Sequence, residues 1–136
     1  MQSEWKINEM VSFIETRSMG LGVVANCDIP KETTILCDPV RSFAGRDSLL
    51  LRQTSAYHYL FVDRRTHSKD NLRPVLHLVV GPISMINHSN KANCRIQWNH
   101  QKTLSKSKAA LVANRNISAG QELFISYHNI EDYEFN

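Results

Sequence analysis

Cysteine is scarce. Three occur in 136 residues, at Cys27, Cys37 and Cys94, an odd number with no C-x-x-C pair. That argues against a disulfide framework and against a structural zinc cluster. A reducing, intracellular setting, nucleus or cytoplasm, is the expectation. Glycine and proline are also few, at 5 and 4, which excludes collagen-like and low-complexity chains. No apolar run approaches the roughly 18 residues of a membrane span. Residues 1–6 carry no basic–apolar–small signal pattern, so a soluble chain not addressed to export or membrane is expected. Neither sign of charge dominates: 16 basic and 13 acidic residues leave a net +3. That value keeps a protein soluble and leaves nucleic acid unlikely as a direct ligand. Arg64–Arg65 and Lys102, Lys106 and Lys108 cluster locally, as solvated loops or as a docking surface for an acidic partner. The histidines show no H-x₃-H pair, and no metal is expected.

What is present is ordinary globular material, 42% apolar and 21% charged. The length suits one domain and a core without staples. No repeat or linker divides it, so residues 1–136 read as one domain, core about 10–128 and tail 129–136. The periodicity is short and strand-like. Strands are predicted over residues 10–15, 23–25, 33–37 and 76–80. Asp47 is positioned to cap a short helix through Arg52. Tyr57, Tyr59 and Phe61 alternate as one strand face, and residues 63–71 form a polar loop. Residues 95–98 and 111–113 are hairpin partners. After the turn 118–120, residues 122–127 form a strand with Leu123, Ile125 and Tyr127 on one face. The fold class is mainly β, with several short strands and little helix.

Gly20-Leu21-Gly22-Val23-Val24-Ala25 formally matches the dinucleotide fingerprint G-x-G-x-x-G/A. The fingerprint needs a helix next, whose N-terminus holds the pyrophosphate. Residues 26–34 carry Pro30 and two adjacent threonines instead, poor helix material. Two readings of the glycines stay open: a tight turn at positive φ, or backbone lying close against a ligand.

Further along stand Tyr59-Leu60-Phe61, then Asn87-His88-Ser89 running to Asn93, then Gly120-Gln121-Glu122-Leu123 closing on Tyr127. In this order the set resembles the SET-domain protein lysine methyltransferases. Their marks are an early G-x-G, a Y-x-F strand, an N-H-S segment followed by P-N, and a late G-E-E-L-x-x-x-Y strand. The resemblance covers nearly the whole chain, from about Met10. It implies a SET fold in which the N-H-S segment passes beneath the C-terminal strand in a knot-like crossing. It implies S-adenosylmethionine as cofactor, held by Gly20, Leu21, Gly22, Asn87 and His88, with Tyr127 and Tyr133 beside it. Tyr127 is implied as the catalytic tyrosine, aided by Tyr59, and Tyr59 and Ile125 as lining of the lysine channel. The substrate implied is a protein, a histone tail first and another lysine-containing protein second. A homodimer is compatible with the family.

Each residue also has a plainer reading. Asn87 and Asn93 suit turns that bond local backbone, His88 an ordinary satisfied histidine, and Tyr59 and Tyr127 core aromatics. An inactive cofactor-binding interaction module, or a basic nucleic-acid-binding domain, would carry the same composition. The chain also departs from the family pattern. Asn90 stands where a zinc-binding cysteine often follows N-H-S, and no cysteine follows Cys94. Ser84 replaces a common arginine, Ala92 the proline of P-N, and Ile125 the Phe/Tyr switch two residues before Tyr127. The pattern is that of a bare SET domain, similar to stand-alone viral and bacterial members, for which a host nucleus would be the place of action.

Overall fold

A computed structural model describes residues 4–62, 75–99 and 108–126. Valine and isoleucine in short runs favour pleated strands, and ten form: β1 (Glu4–Lys6), β2 (Val11–Thr16), β3 (Gly20–Ala25), β4 (Thr34–Phe43), β5 (Phe61–Val62), β6 (Leu76–Val79), β7 (Asn87–His88), β8 (Cys94–Asn99), β9 (Lys108–Ala113) and β10 (Phe124–Ile125). One helix, α1 (Gly45–Leu51), and two 3-10 turns, Ser55–Tyr59 and Pro82–Met85, complete the described elements. None of these helices is long and apolar enough to cross a membrane.

The strands form three sheets, β1-β2-β3, β5-β6-β4-β9-β8, and the pair β10-β7. β2 and β3 make a hairpin whose turn is fixed by chemistry within it. The Thr16 hydroxyl donates to the Gly20 carbonyl at 2.6 Å and accepts from the Met19 N–H at 3.0 Å. Gly20 has φ +70°, a left-handed value that glycine adopts without a Cβ penalty. In the large sheet, Leu36, Asp38 and Val40 of β4 point inward while Cys37, Pro39 and Arg41 point out. The core there gathers Leu36, Val40, Val79, Leu111 and Trp98, with Phe61 edge-on to Trp98 at 5.4 Å. Edge-to-face rings suit the aromatic quadrupole.

Several expectations need correction. β4 does not stop at Cys37 but continues through Pro39 to Phe43. Pro39 has no N–H, which ordinarily bars it from a central strand. It is tolerated because it sits where β4 changes partners: its last pairing with β9 is Pro39↔Lys108, and pairing with β6 begins at Val40↔Val79. The helix begins earlier than Asp47, with Ala44 at the N-cap and no side-chain cap. Asp47 lies inside the first turn, where a carboxylate still favours the helix dipole. Tyr57 and Tyr59 are not on a strand. Tyr57 N–H to Thr54 O and Leu60 N–H to Tyr57 O close successive 3-10 turns, and only Phe61–Val62 pairs with β6. Three alternating aromatics are too short a run to separate the two conformations. The loop read over residues 63–71 lies outside the described residues.

Asp38 occupies an inward position that alternation reserves for apolar residues, and it is buried. Its carboxylate accepts from the Ile83 N–H at 2.9 Å, so it ties β4 to the turn that leads into β7. Gly81 in that turn has φ +149°, and a Cβ there would lie 2.5 Å from the Asp38 carboxyl, so only glycine fits. Burial pushes the Asp38 carboxyl above its usual 3.8, with the Ile83 N–H partly opposing. The folded state then holds the proton more tightly than the unfolded chain. The stability Asp38 contributes is greatest below the ordinary carboxylate value and is lost as pH rises through the raised folded value. Asp38→Asn keeps an oxygen for Ile83 and removes the charge. The variant is expected to lose less stability than wild type between about pH 4 and about pH 7. Urea midpoints at the two pH values check this, and equal changes would contradict it.

Candidate active site

Three distant segments meet at one place. β3 lies beside residues 120–123, with Gly120 N–H to Ala25 O at 2.8 Å, Ala25 N–H to Gln121 O at 2.9 Å and Leu123 N–H to Val23 O at 2.8 Å. β7 runs parallel to β10, with Asn87 opposite Phe124 and His88 opposite Ile125. Ser89 N–H to Ile125 O, 3.0 Å, extends that pairing. Parallel neighbours need a long connection, here the chain between His88 and Phe124.

Side chains lock the junction. Asn87 Nδ2 donates to Glu122 Oε2 at 2.9 Å and to the Leu21 carbonyl at 3.3 Å. Asn93 is buried and uses both ends of its amide: Nδ2 donates to Glu122 O at 2.9 Å and Oδ1 accepts from Phe124 N–H at 2.8 Å. The turn reading of Asn93 therefore fails. Its partners are backbone groups about thirty positions later, and it acts as a strand neighbour for the C-terminal segment.

Gly22 explains itself here. It is not a turn residue and its φ is not positive; it sits inside β3. A Cβ on it would stand 2.8 Å from Glu122 Oε2 and 3.0 Å from Asn87 Nδ2. Close approach, not backbone freedom, is the reason for glycine at this position. Gly20 is the opposite case, exposed and with nothing within 4 Å of where its Cβ would be. Because β3 continues as a strand after the glycines, the dinucleotide fingerprint is excluded.

A match to the family model for the SET domain spans residues 20–128. The chain belongs to the SET-domain family. That membership supports the enzyme class the motifs imply, a protein-lysine N-methyltransferase. The fold agrees. A Plasmodium falciparum protein provisionally called a histone methyltransferase superposes with TM-score 0.66 at 22% identity, over 86% of this chain and 96% of its own. The Neurospora SET domain protein DIM-5, a histone lysine methyltransferase, superposes with TM-score 0.63 at 23% identity, over 85% of this chain. This SET domain spans 50% of that longer protein. No curated protein matches by sequence.

Of the site residues read from the SET motifs, the structure brings together Leu21, Gly22, Asn87, His88 and Ile125, while Gly20 starts β3 opposite Thr16. Tyr59 ends the Ser55–Tyr59 3-10 turn. It is 57% exposed and lines a hollow of about 190 Å³ together with Tyr57, His58, Phe61 and Ser84. Ser84, in place of the arginine, turns its hydroxyl back to the Gly81 carbonyl at 2.7 Å. Tyr127 and Tyr133 lie outside the described residues.

Sequence reading missed Glu122. Its signal was its place in the Gly120–Leu123 motif, which names the residue but not its partner. Cys94, adjacent to Asn93, is buried, and burial pushes its thiol up to about 12. It stays protonated and offers no thiolate nucleophile.

The junction fits the cofactor that the family implies. The backbone of Leu21 and Gly22 lies against the half-buried polar side chain of Asn87, and the Glu122 carboxylate favours a ligand carrying positive charge.

Proposed function

We propose that this SET domain transfers methyl groups from S-adenosylmethionine to lysine side chains of a protein, with a histone tail as the substrate. The observation that carries the reading is the junction of Gly20–Gly22, Asn87–His88 and Glu122–Ile125, which unites the motifs the family resemblance rests on. When bound, S-adenosylmethionine supplies a methyl group activated by its sulfonium. Gly20 and Leu21 would hold it through backbone groups, Asn87 and His88 through side chains, and Tyr133 by packing.

The chain's own residues must deliver a lysine amine that is neutral and aligned. Free lysine titrates near 10.4, so roughly one amine in a thousand is neutral near pH 7.4, equivalent to about 4 kcal/mol. An aromatic channel with little water disfavours the ammonium. Tyr59 would line that channel, and the Tyr127 hydroxyl would orient the amine lone pair without adding a competing charge. No acid–base triad is required. The chain would act inside the cell, where its cysteines remain thiols.

Ile125 carries a consequence for the product. In the family, a tyrosine at this position holds a water that crowds the amine. Ile125 has no hydroxyl, and it is buried on β10 beside His88. Di- and trimethyl-lysine are the expected products, read by mass spectrometry over a long time course. Monomethyl-lysine alone would contradict this.

Tritiated S-adenosylmethionine offered with core histones, and separately with a cell lysate, tests the substrate class. Histone bands labelled ahead of all others support the histone reading. Label confined to other proteins refutes it.

A further inference from the structure

β1 lies at the outer edge of its three-stranded sheet, and among the described residues no strand pairs with its far side. Its residues Glu4, Trp5 and Lys6 are all exposed, Trp5 at 48%. The ladder to β2 decides which backbone groups face that open side. Ile7 N–H donates to Val11 O at 3.0 Å, and in an antiparallel pair such bonding positions alternate. Trp5 therefore turns its N–H and C=O inward to Phe13, its partner in register, while Glu4 and Lys6 aim theirs outward. An edge of this kind is a template for another strand.

The charges select which strand. An identical edge laid antiparallel and bonding through Glu4 and Lys6 has three registers. Centred on Glu4 or on Lys6, it sets two like charges against each other, which destabilises the pair. Centred on Trp5, it sets Glu4 of each copy against Lys6 of the other. The two Trp5 side chains then meet at a non-hydrogen-bonded position, where side chains come closest and aromatic pairs stabilise. Trp5 stands on the same face as Phe13 and Val23, and Phe13 packs against the core, so the tryptophan pair extends an apolar face that already exists. Lys6 holds Glu9 at 2.6 Å, but both groups are largely exposed. That pair is weak, and the ammonium has donors left for a second carboxylate. β1 has neither a proline nor a bulge to block pairing.

We infer that β1 is a self-association edge: two copies of this chain pair β1 against β1, antiparallel about Trp5, and join their three-stranded sheets into one of six strands. Glu4 and Lys6 of opposite copies exchange both of their N–H···O bonds. The contact is the same patch on both copies, so assembly closes at two. Three residues span about 10 Å of edge, too little to bury the roughly 1,200 Å² of a standing dimer. The association is therefore weak and depends on concentration. β2 separates β1 from β3, so the seam uses none of Gly20–Gly22, and the inference is independent of the methyl-transfer reading.

Two measurements test this. Sedimentation equilibrium of the wild type, from ~5 μM to ~1 mM, should show monomer passing into dimer and nothing larger. Glu4→Lys and Lys6→Glu each set like charges across the seam and should weaken dimerisation at least ~10-fold. Glu4→Lys combined with Lys6→Glu restores opposite charges in the same register and should return to within ~3-fold of wild type. A wild type that stays monomeric at ~1 mM overturns the inference. So do single variants that dimerise like wild type, a combined variant that fails to recover, and assembly beyond two copies. The second measurement needs no variant. Backbone amide exchange of the wild type is compared at the two ends of the same concentration range. The Glu4 and Lys6 amides should slow at the high end, whereas the Trp5 amide, already turned to Phe13, should not change. Glu4 and Lys6 amides that exchange equally fast at both concentrations overturn the inference.

Discussion

Gly22→Ala is expected to yield a folded protein that binds S-adenosylmethionine at least ~10-fold more weakly than wild type. The added Cβ would enter at 2.8 Å from Glu122 Oε2 and 3.0 Å from Asn87 Nδ2. Backbone is not what it meets. It meets the tips of two side chains, and the longer, that of Glu122, can swing aside at modest cost. The fold therefore survives, while the Asn87–Glu122 bond does not. Melting temperature and calorimetry together check the split. Wild-type affinity would return Gly22 to a purely structural role, and loss of folding would mean that Glu122 cannot move.

Tyr127→Phe is the change expected to cost most in turnover. It removes one hydroxyl and almost no volume, so cofactor binding should persist. Turnover should fall by ~10²-fold or more, the scale of losing alignment at a reacting centre. Tyr127 follows Ile125 by two positions in the sequence. Turnover equal to wild type would remove Tyr127 from the chemistry.

The sequence and the structure agree where the signal was periodic. The hairpin of β8 and β9 appears with Arg95 opposite Val112 and Trp98 opposite Ala109, because alternating apolar residues leave one register that buries Trp98. The strand over residues 10–15 and the one over residues 76–80 were legible for the same local reasons. Pro39 was not, since whether a proline interrupts a strand depends on which neighbour faces its missing N–H. The aromatic run at Tyr57–Phe61 was ambiguous because no partner strand is visible in sequence.

The site divides in the same way. Asn87 and the glycines were found through an ordered set of motifs, each of which is weak alone. Glu122 and Asn93 stand inside those motifs, but the ties they make were not legible, because each acts on a group 29 to 35 positions away. Asparagine reads locally as a turn former. Only its bonds to the Glu122 carbonyl and the Phe124 N–H show Asn93 standing in for a strand.

The central claim is methyl transfer to protein lysine at the junction of β3, β7 and the C-terminal strand. The most direct measurement is tandem mass spectrometry of core histones incubated with the protein and S-adenosylmethionine carrying an isotopically labelled methyl group. Labelled methyl on defined lysine side chains, absent with Tyr127→Phe, is the predicted result. A protein that binds S-adenosylmethionine by calorimetry yet leaves every lysine of histones and of a cell lysate unlabelled would contradict it.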